Sequence, residues 1–176
     1  MFNKITIIGC GLIGSSIFRA IKKKKITTNI SVYDSSKRVK NKIKKIKLKV
    51  KLENNIKNAV KNSDLIVICT PISSYELIIK SIKNNLKVNA IIIDVGSVKN
   101  FSVKIIEKNI KKGKNSWISC HPISGSEVTG PENGTANLFS KKWCIITPSK
   151  KFSKQDLKKV VWFWKSLGSF VKIMKK

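Results

Sequence analysis

A chain of 176 residues is the size of one ordinary domain, able to bury roughly 70% of the surface its unfolded form exposes without help from a cofactor or disulfides. Its hydrophobic share of 41% comes in runs such as Ile5-Thr6-Ile7-Ile8, far short of the ~20 residues of a membrane-spanning helix. The formal charge of +28 raises the question of a nucleic-acid partner, but Arg19 and Arg38 are the only arginines. Base-reading sites favour the bidentate arginine fork, so the lysine excess reads as solvated faces and argues against nucleic acid.

Short Ile- and Val-rich runs alternate with longer, Lys-rich amphipathic stretches, the sequence form of repeated strand–helix units and of a parallel sheet. The leading Met1-Phe2-Asn3-Lys4 runs straight into the first strand, Ile5 to Gly9, with no room for an export signal, so a cytoplasmic location is expected. A helix over Ile13 to Lys23 follows, then a strand over Ile30 to Tyr33 and a helix over Ser36 to Ile46. From Lys47 to Asn62 an alternating Lys-Leu-Lys-Val-Lys-Leu suits a short strand, while Asn54 to Lys61 suits a helical turn or two. Strands over Leu65 to Cys69 and Ala90 to Asp94 enclose a helix over Ser73 to Asn84. A helix over Val98 to Lys108 leads to a strand over Trp117 to His121. The Gly-, Ser- and Pro-rich stretch from Pro122 to Lys142 reads as an active-site loop broken by short helix. A strand over Cys144 to Thr147, a helix over Lys154 to Leu167 and a strand over Ser169 to Ile173 complete the chain.

Cys10, Cys69, Cys120 and Cys144 form neither a CxxC pair nor a Cys/His zinc spacing; they are expected to be reduced, buried thiols, with no metal site.

Gly9-Cys10-Gly11-Leu12-Ile13-Gly14 follows the first strand at once and opens the first helix, the context that makes a GxGxxG pattern specific. Gly9 permits the tight turn, Gly11 lets the backbone approach a pyrophosphate, and Gly14 lets the helix pack closely on the sheet. The helix N-terminus, at Leu12 and Ile13, offers free N–H groups to the anion. The expected architecture is a Rossmann-type α/β domain: a doubly wound, mostly parallel sheet with helices on both faces. Asp34 ends the second strand, 20 residues after Gly14, where a carboxylate accepts hydrogen bonds from ribose hydroxyls and repels a 2′-phosphate. NAD is therefore favoured, while nearby Lys37 and Arg38 leave room for NADP. Asp34 could equally cap the helix that starts near Ser36.

Three later segments end strands at the edge where open α/β sheets bind ligands: Cys69-Thr70-Pro71, Asp94-Val95-Gly96-Ser97 and His121-Pro122-Ile123-Ser124-Gly125-Ser126-Glu127. Thr70, Pro71, Asp94 and Ser97 are read as cofactor-side residues. His121, the only histidine, ends a strand facing that crevice and suits proton transfer near neutral pH.

The run from His121 to Pro148, HPISGSEVTGPENGTANLFSKKWCIITP, resembles the signature loop of prephenate and arogenate dehydrogenases, the cyclohexadienyl dehydrogenases among them. GCGLIGSS, CTPIS and DVGSVK fit the same family, and the resemblance covers essentially the whole chain. It implies NAD-dependent oxidative decarboxylation of prephenate, or arogenate, to 4-hydroxyphenylpyruvate or tyrosine. It further implies His121 as acceptor of the ring hydroxyl's hydrogen bond and developing charge, with Ser97 beside the same hydroxyl and the nicotinamide. Glu127 aligns with a glutamate at the pocket entrance, and Ser126 sits where the substrate side chain is discriminated. Ser97 could otherwise cap the helix beginning at Val98, and Glu127 could be a solvated loop charge. Family members continue into an all-helical domain that forms the homodimer and supplies an arginine for the substrate carboxylates. Residues 1–176 correspond to the NAD(P)-binding domain alone. The chain is accordingly expected to bind nucleotide yet turn over prephenate poorly. The alternatives are a non-catalytic nucleotide-binding module and a dehydrogenase of the β-hydroxyacid type, though no lysine motif of the latter is seen.

Overall fold

The computed structural model describes residues 2–97, 114–148 and 152–174. Within them, strands β1 (Lys4–Ile8), β2 (Asn29–Tyr33), β3 (Lys51–Glu53), β4 (Leu65–Ile68), β5 (Ile91–Asp94), β6 (Ser116–Pro122), β7 (Trp143–Pro148) and β8 (Phe170–Ile173) form a single sheet. Its spatial order is β3-β2-β1-β4-β5-β6-β7-β8. The order reverses direction between β1 and β4, creating the crevice at which such sheets take ligands. The helices are α1 (Leu12–Lys23), α2 (Lys37–Lys45), α3 (Ile56–Val60), α4 (Tyr75–Ile82) and α5 (Lys154–Ser166). The helix expected over Val98 to Lys108 lies outside the described residues.

Side-chain alternation along the strands sends successive residues to opposite faces, and both faces are covered. Ile5, Ile7, Leu65 and Val67 pack with Ile17, Phe18 and Ile21 of α1 and, farther along, Phe163 and Trp164 of α5. Ile8, Ile66 and Ile68 pack on the other side with Tyr75, Ile79 and Ile82 of α4. That is why these strands read as continuous apolar runs rather than alternating ones. The ambiguous segment after α2 resolves into both of its readings, β3 followed by α3.

The sheet departs from an all-parallel arrangement at one pair. β7 runs antiparallel to β6, with His121 opposite Ile145, while β8 is again parallel to β7. The cause lies in the connection: after Pro122 the chain does not cross the sheet as a helix but doubles back over α1 and α2. It is held there by Arg19 Nη1 donating to Pro131 O (3.0 Å), Thr135 N donating to Ser16 Oγ (3.0 Å) and a Lys42–Glu132 ion pair. A short 3-10 turn at Pro131–Asn133 is the helix this loop contains.

Candidate active site

The glycine-rich turn is built by packing. Gly9 adopts φ +89° and donates its N–H to Tyr33 O at 2.8 Å, tying the end of β1 to β2. At Gly14 a Cβ would stand 2.0 Å from Gly9 O, so no larger residue allows the helix to start this close to the strand. Gly11 is the converse case: nothing lies within 4 Å of where its Cβ would be, leaving the backbone open to a ligand. Gly11 caps α1 without a side-chain hydrogen bond, and the first turn carries no acidic residue. Its free N–H groups and positive dipole end are thus available to an anion. Leu12 opens that turn, and the Ile13 side chain faces a neighbouring cleft.

Asp34 follows β2 and is nearly buried. Its Oδ2 accepts from Cys10 N (2.8 Å) and its Oδ1 from Ser36 N (2.9 Å), so the helix-cap reading and a place beside the turn hold together. Asp34, Gly9 and Thr70 line a cleft of about 170 Å³ whose apolar wall is Ile56, Leu77 and Ile78. Beside it, Cys10 is fully buried; desolvation and the Asp34 charge push its thiol up to about 12, so it stays protonated and inert. All four cysteines are free; Cys69 is half-buried and the others are buried.

A second cleft, of about 320 Å³, opens on the other side of the turn. Ile13, Thr70, Pro71, Val95, Gly96, Ser97 and His121 line it, so five of the residues singled out from sequence do meet: Ile13, Thr70, Pro71, Ser97 and His121. His121 is half-buried on β6, and Ser97 is exposed just past β5. The capping role open to Ser97 concerns residues outside those described.

Asp94, Ser126 and Glu127 stand outside both cleft linings. Asp94 is fully buried, its Oδ1 accepting from Trp117 Nε1 (3.0 Å) and its Oδ2 from Gly96 N (3.3 Å). It lines neither cleft and braces the backbone at Gly96, which lines the second. Ser126 and Glu127 lie on the exposed part of the loop and line neither cleft. Ser124 lines the second cleft in their place, with a buried hydroxyl that has no hydrogen-bond partner among the described residues. Thr70 Oγ1 is in the same state. A buried hydroxyl left unpaired is costly, and both are placed where a ligand could satisfy them.

A mostly parallel sheet with a switch-point crevice, a glycine turn at its first strand end and a histidine on the same rim define a Rossmann-type domain of the dehydrogenase kind. Residues 17–173 match the family described as prephenate dehydrogenase, nucleotide-binding domain, and the chain belongs to that family. It is 32% identical over 174 residues to a cyclohexadienyl dehydrogenase of Zymomonas mobilis, covering 99% of this chain and 59% of that protein. A prephenate dehydrogenase of Lactococcus lactis is 34% identical over 157 residues, 89% of this chain and 44% of its own. Among solved structures, prephenate dehydrogenase from A. aeolicus in complex with hydroxyphenyl propionate and NAD+ superimposes with a TM-score of 0.88 at 26% identity, covering 99% of this chain and 60% of that one. The chain thus spans about three-fifths or less of the length of these relatives.

Proposed function

We propose that this chain is the cofactor-binding part of an NAD-dependent prephenate or arogenate dehydrogenase, working in the cytoplasm, where its four free cysteines stay reduced. The observation that carries the reading is that Thr70 lines both clefts, one of them reaching Asp34 and the other His121. A dinucleotide has this form: adenosine on one side of the turn, nicotinamide on the other, pyrophosphate between. The residues present fit such a group. Gly11 leaves its approach open, the uncapped start of α1 faces it, and the Asp34 carboxylate stands at the end of β2 for the ribose hydroxyls. That carboxylate favours NAD over NADP by repelling a 2′-phosphate.

The bound nucleotide supplies the acceptor for the hydride that leaves the hydroxyl-bearing ring carbon. His121 takes the hydrogen bond and then the proton of that hydroxyl, a role suited to imidazole near neutral pH. Ser97, on the same cleft, orients the hydroxyl, and Ser124 offers its unpaired hydroxyl alongside. Once the ring carbon is carbonyl-like, loss of the ring carboxylate as carbon dioxide gives an aromatic ring and drives the reaction forward. On this reading Ser126 and Glu127, exposed on the loop that follows His121, act at the pocket entrance.

Among the described residues no arginine or lysine lines the His121 cleft; Arg19 is engaged by Pro131 O. On this reading the cationic clamp that positions a dianionic substrate, and the homodimer, belong to the all-helical part that the family resemblance implies. Alone, the chain is expected to bind NADH and to oxidise prephenate slowly or not at all. Fused to the remaining part of the Zymomonas mobilis relative, it should turn over prephenate with NAD+, and His121→Asn should abolish that turnover. A fusion that folds and binds NADH yet stays active after His121→Asn would overturn the histidine's role. One that binds NADH and never turns over would support a non-catalytic nucleotide-binding module.

A further inference from the structure

We propose that Asp94, held by Trp117 and flanked by Tyr75, is a positioning residue that sets the Val95–Gly96–Ser97 floor of the histidine cleft for the nicotinamide half of the nucleotide. This rests on the functional reading above. A carboxylate with no solvent exposure is an expensive way to join two strands, since apolar residues of similar volume would hold β5 to β6 as well or better. What the carboxylate adds is direction. Oδ2 takes the Gly96 N–H at 3.3 Å and curls the backbone just past β5, while Oδ1 takes the Trp117 indole N–H at 3.0 Å from β6. The link ties together the two strands that carry Ser97 and His121. His121 lies four residues beyond Trp117 on the same strand, so both side chains belong to one face of the sheet.

Tyr75, the first residue of α4, closes the remaining side. It is fully buried, its ring lies 6.5 Å from that of Trp117, and its hydroxyl stands 2.9 Å from where a Cβ on Gly96 would be. Burial, then the Asp94 charge, drives the Tyr75 hydroxyl's pKa far upward, so it remains protonated. Gly96 is therefore confined from below by a carboxylate and from the side by a phenol, and its third side is the cleft. The adenosine cleft is lined by none of Asp94, Gly96, Tyr75 or Trp117. A fault in this network should accordingly be felt at one end of the nucleotide and not at the other.

The test is a pair of binding titrations on the intact chain, with NADH and with ADP-ribose, which lacks the nicotinamide. Asp94→Asn should leave ADP-ribose affinity within about twofold of wild type and lower the preference for NADH over ADP-ribose by about tenfold, the scale of one charged hydrogen bond. Gly96→Ala should do the same by pressing on the Tyr75 hydroxyl, and adding Tyr75→Phe to it should restore the preference; this pair keeps the question answerable if Asp94→Asn fails to fold. Equal losses for both ligands, an unchanged ratio, or no rescue by Tyr75→Phe would overturn the inference while leaving the functional reading intact. A wild-type chain that binds neither ligand would overturn the functional reading, and this inference with it.

Discussion

Gly11 and Gly14 belong to one motif but do different work, and substitution separates them. A Cβ at Gly14 would fall 2.0 Å from the Gly9 carbonyl oxygen, a backbone atom that cannot swing aside. Gly14→Ala is expected to cost about 1–3 kcal/mol of stability, seen as a lowered thermal midpoint, because helix and strand must part. At Gly11 the same methyl meets no protein atom within 4 Å, so Gly11→Ala should keep a midpoint close to wild type. Its NADH affinity should nonetheless fall by tenfold or so, about 1.4 kcal/mol, because the methyl occupies the approach of the pyrophosphate. A Gly11→Ala chain with wild-type affinity would mean that the nucleotide lies elsewhere. These two residues were legible in the sequence because their meaning is local: the turn, its strand and its helix are contiguous. That the Asp94 carboxylate binds the Trp117 indole and the Gly96 N–H was not legible, because Trp117 is 23 positions away. The choice of Ser124 over Ser126 and Glu127 as cleft residue was equally hidden, since an irregular loop has no periodicity to say which side chain faces in.

Elements are joined at their starts as well as their ends. Asp64, just before β4, accepts from the backbone N–H of Asn3 (2.7 Å) and of Lys4 (3.1 Å) at the start of β1, and from Lys87 Nζ (2.5 Å) ahead of β5. Burial alone would raise its pKa, but the hydrogen bonds from Lys87 and from the two backbone amides outweigh that and hold it below the ordinary value. Folding thus favours the ionised form. Its stabilising contribution is complete above the unfolded pKa of about 4 and is lost as pH falls through the lower folded value. Asp64→Asn should cost about 1 kcal/mol in urea unfolding at pH 7, allowing for solvent screening, and progressively less as the pH is brought below 4. A penalty independent of pH would contradict this account. The elements themselves were largely readable, because buried parallel strands and amphipathic helices leave distinct periodicities. The reversal of β7 was not, since strand direction depends on how the loop after Pro122 docks on α1 and α2, through contacts such as Arg19 to Pro131 that span 112 positions.

At the scale of the molecule the dominant feature is charge: 37 basic side chains against 9 acidic ones. Self-repulsion of this size destabilises the folded state at low ionic strength, and screening relieves it. Raising salt from about 0.01 M, where the screening length is ~30 Å, to about 0.15 M, where it is ~8 Å, should raise the urea midpoint. A falling midpoint would show that specific ion pairs outweigh the general repulsion. The same field draws anions of every kind, so attraction to a nucleotide is not by itself evidence of a site; saturation, stoichiometry and dependence on Gly11 are. The most direct test of the central claim is therefore a fluorescence titration of the chain with NADH at physiological salt. Saturable one-to-one binding that Gly11→Ala weakens by about tenfold is the expected result. Binding that never saturates, or that fades with salt alone and ignores Gly11→Ala, would contradict the assignment of the two clefts to a dinucleotide.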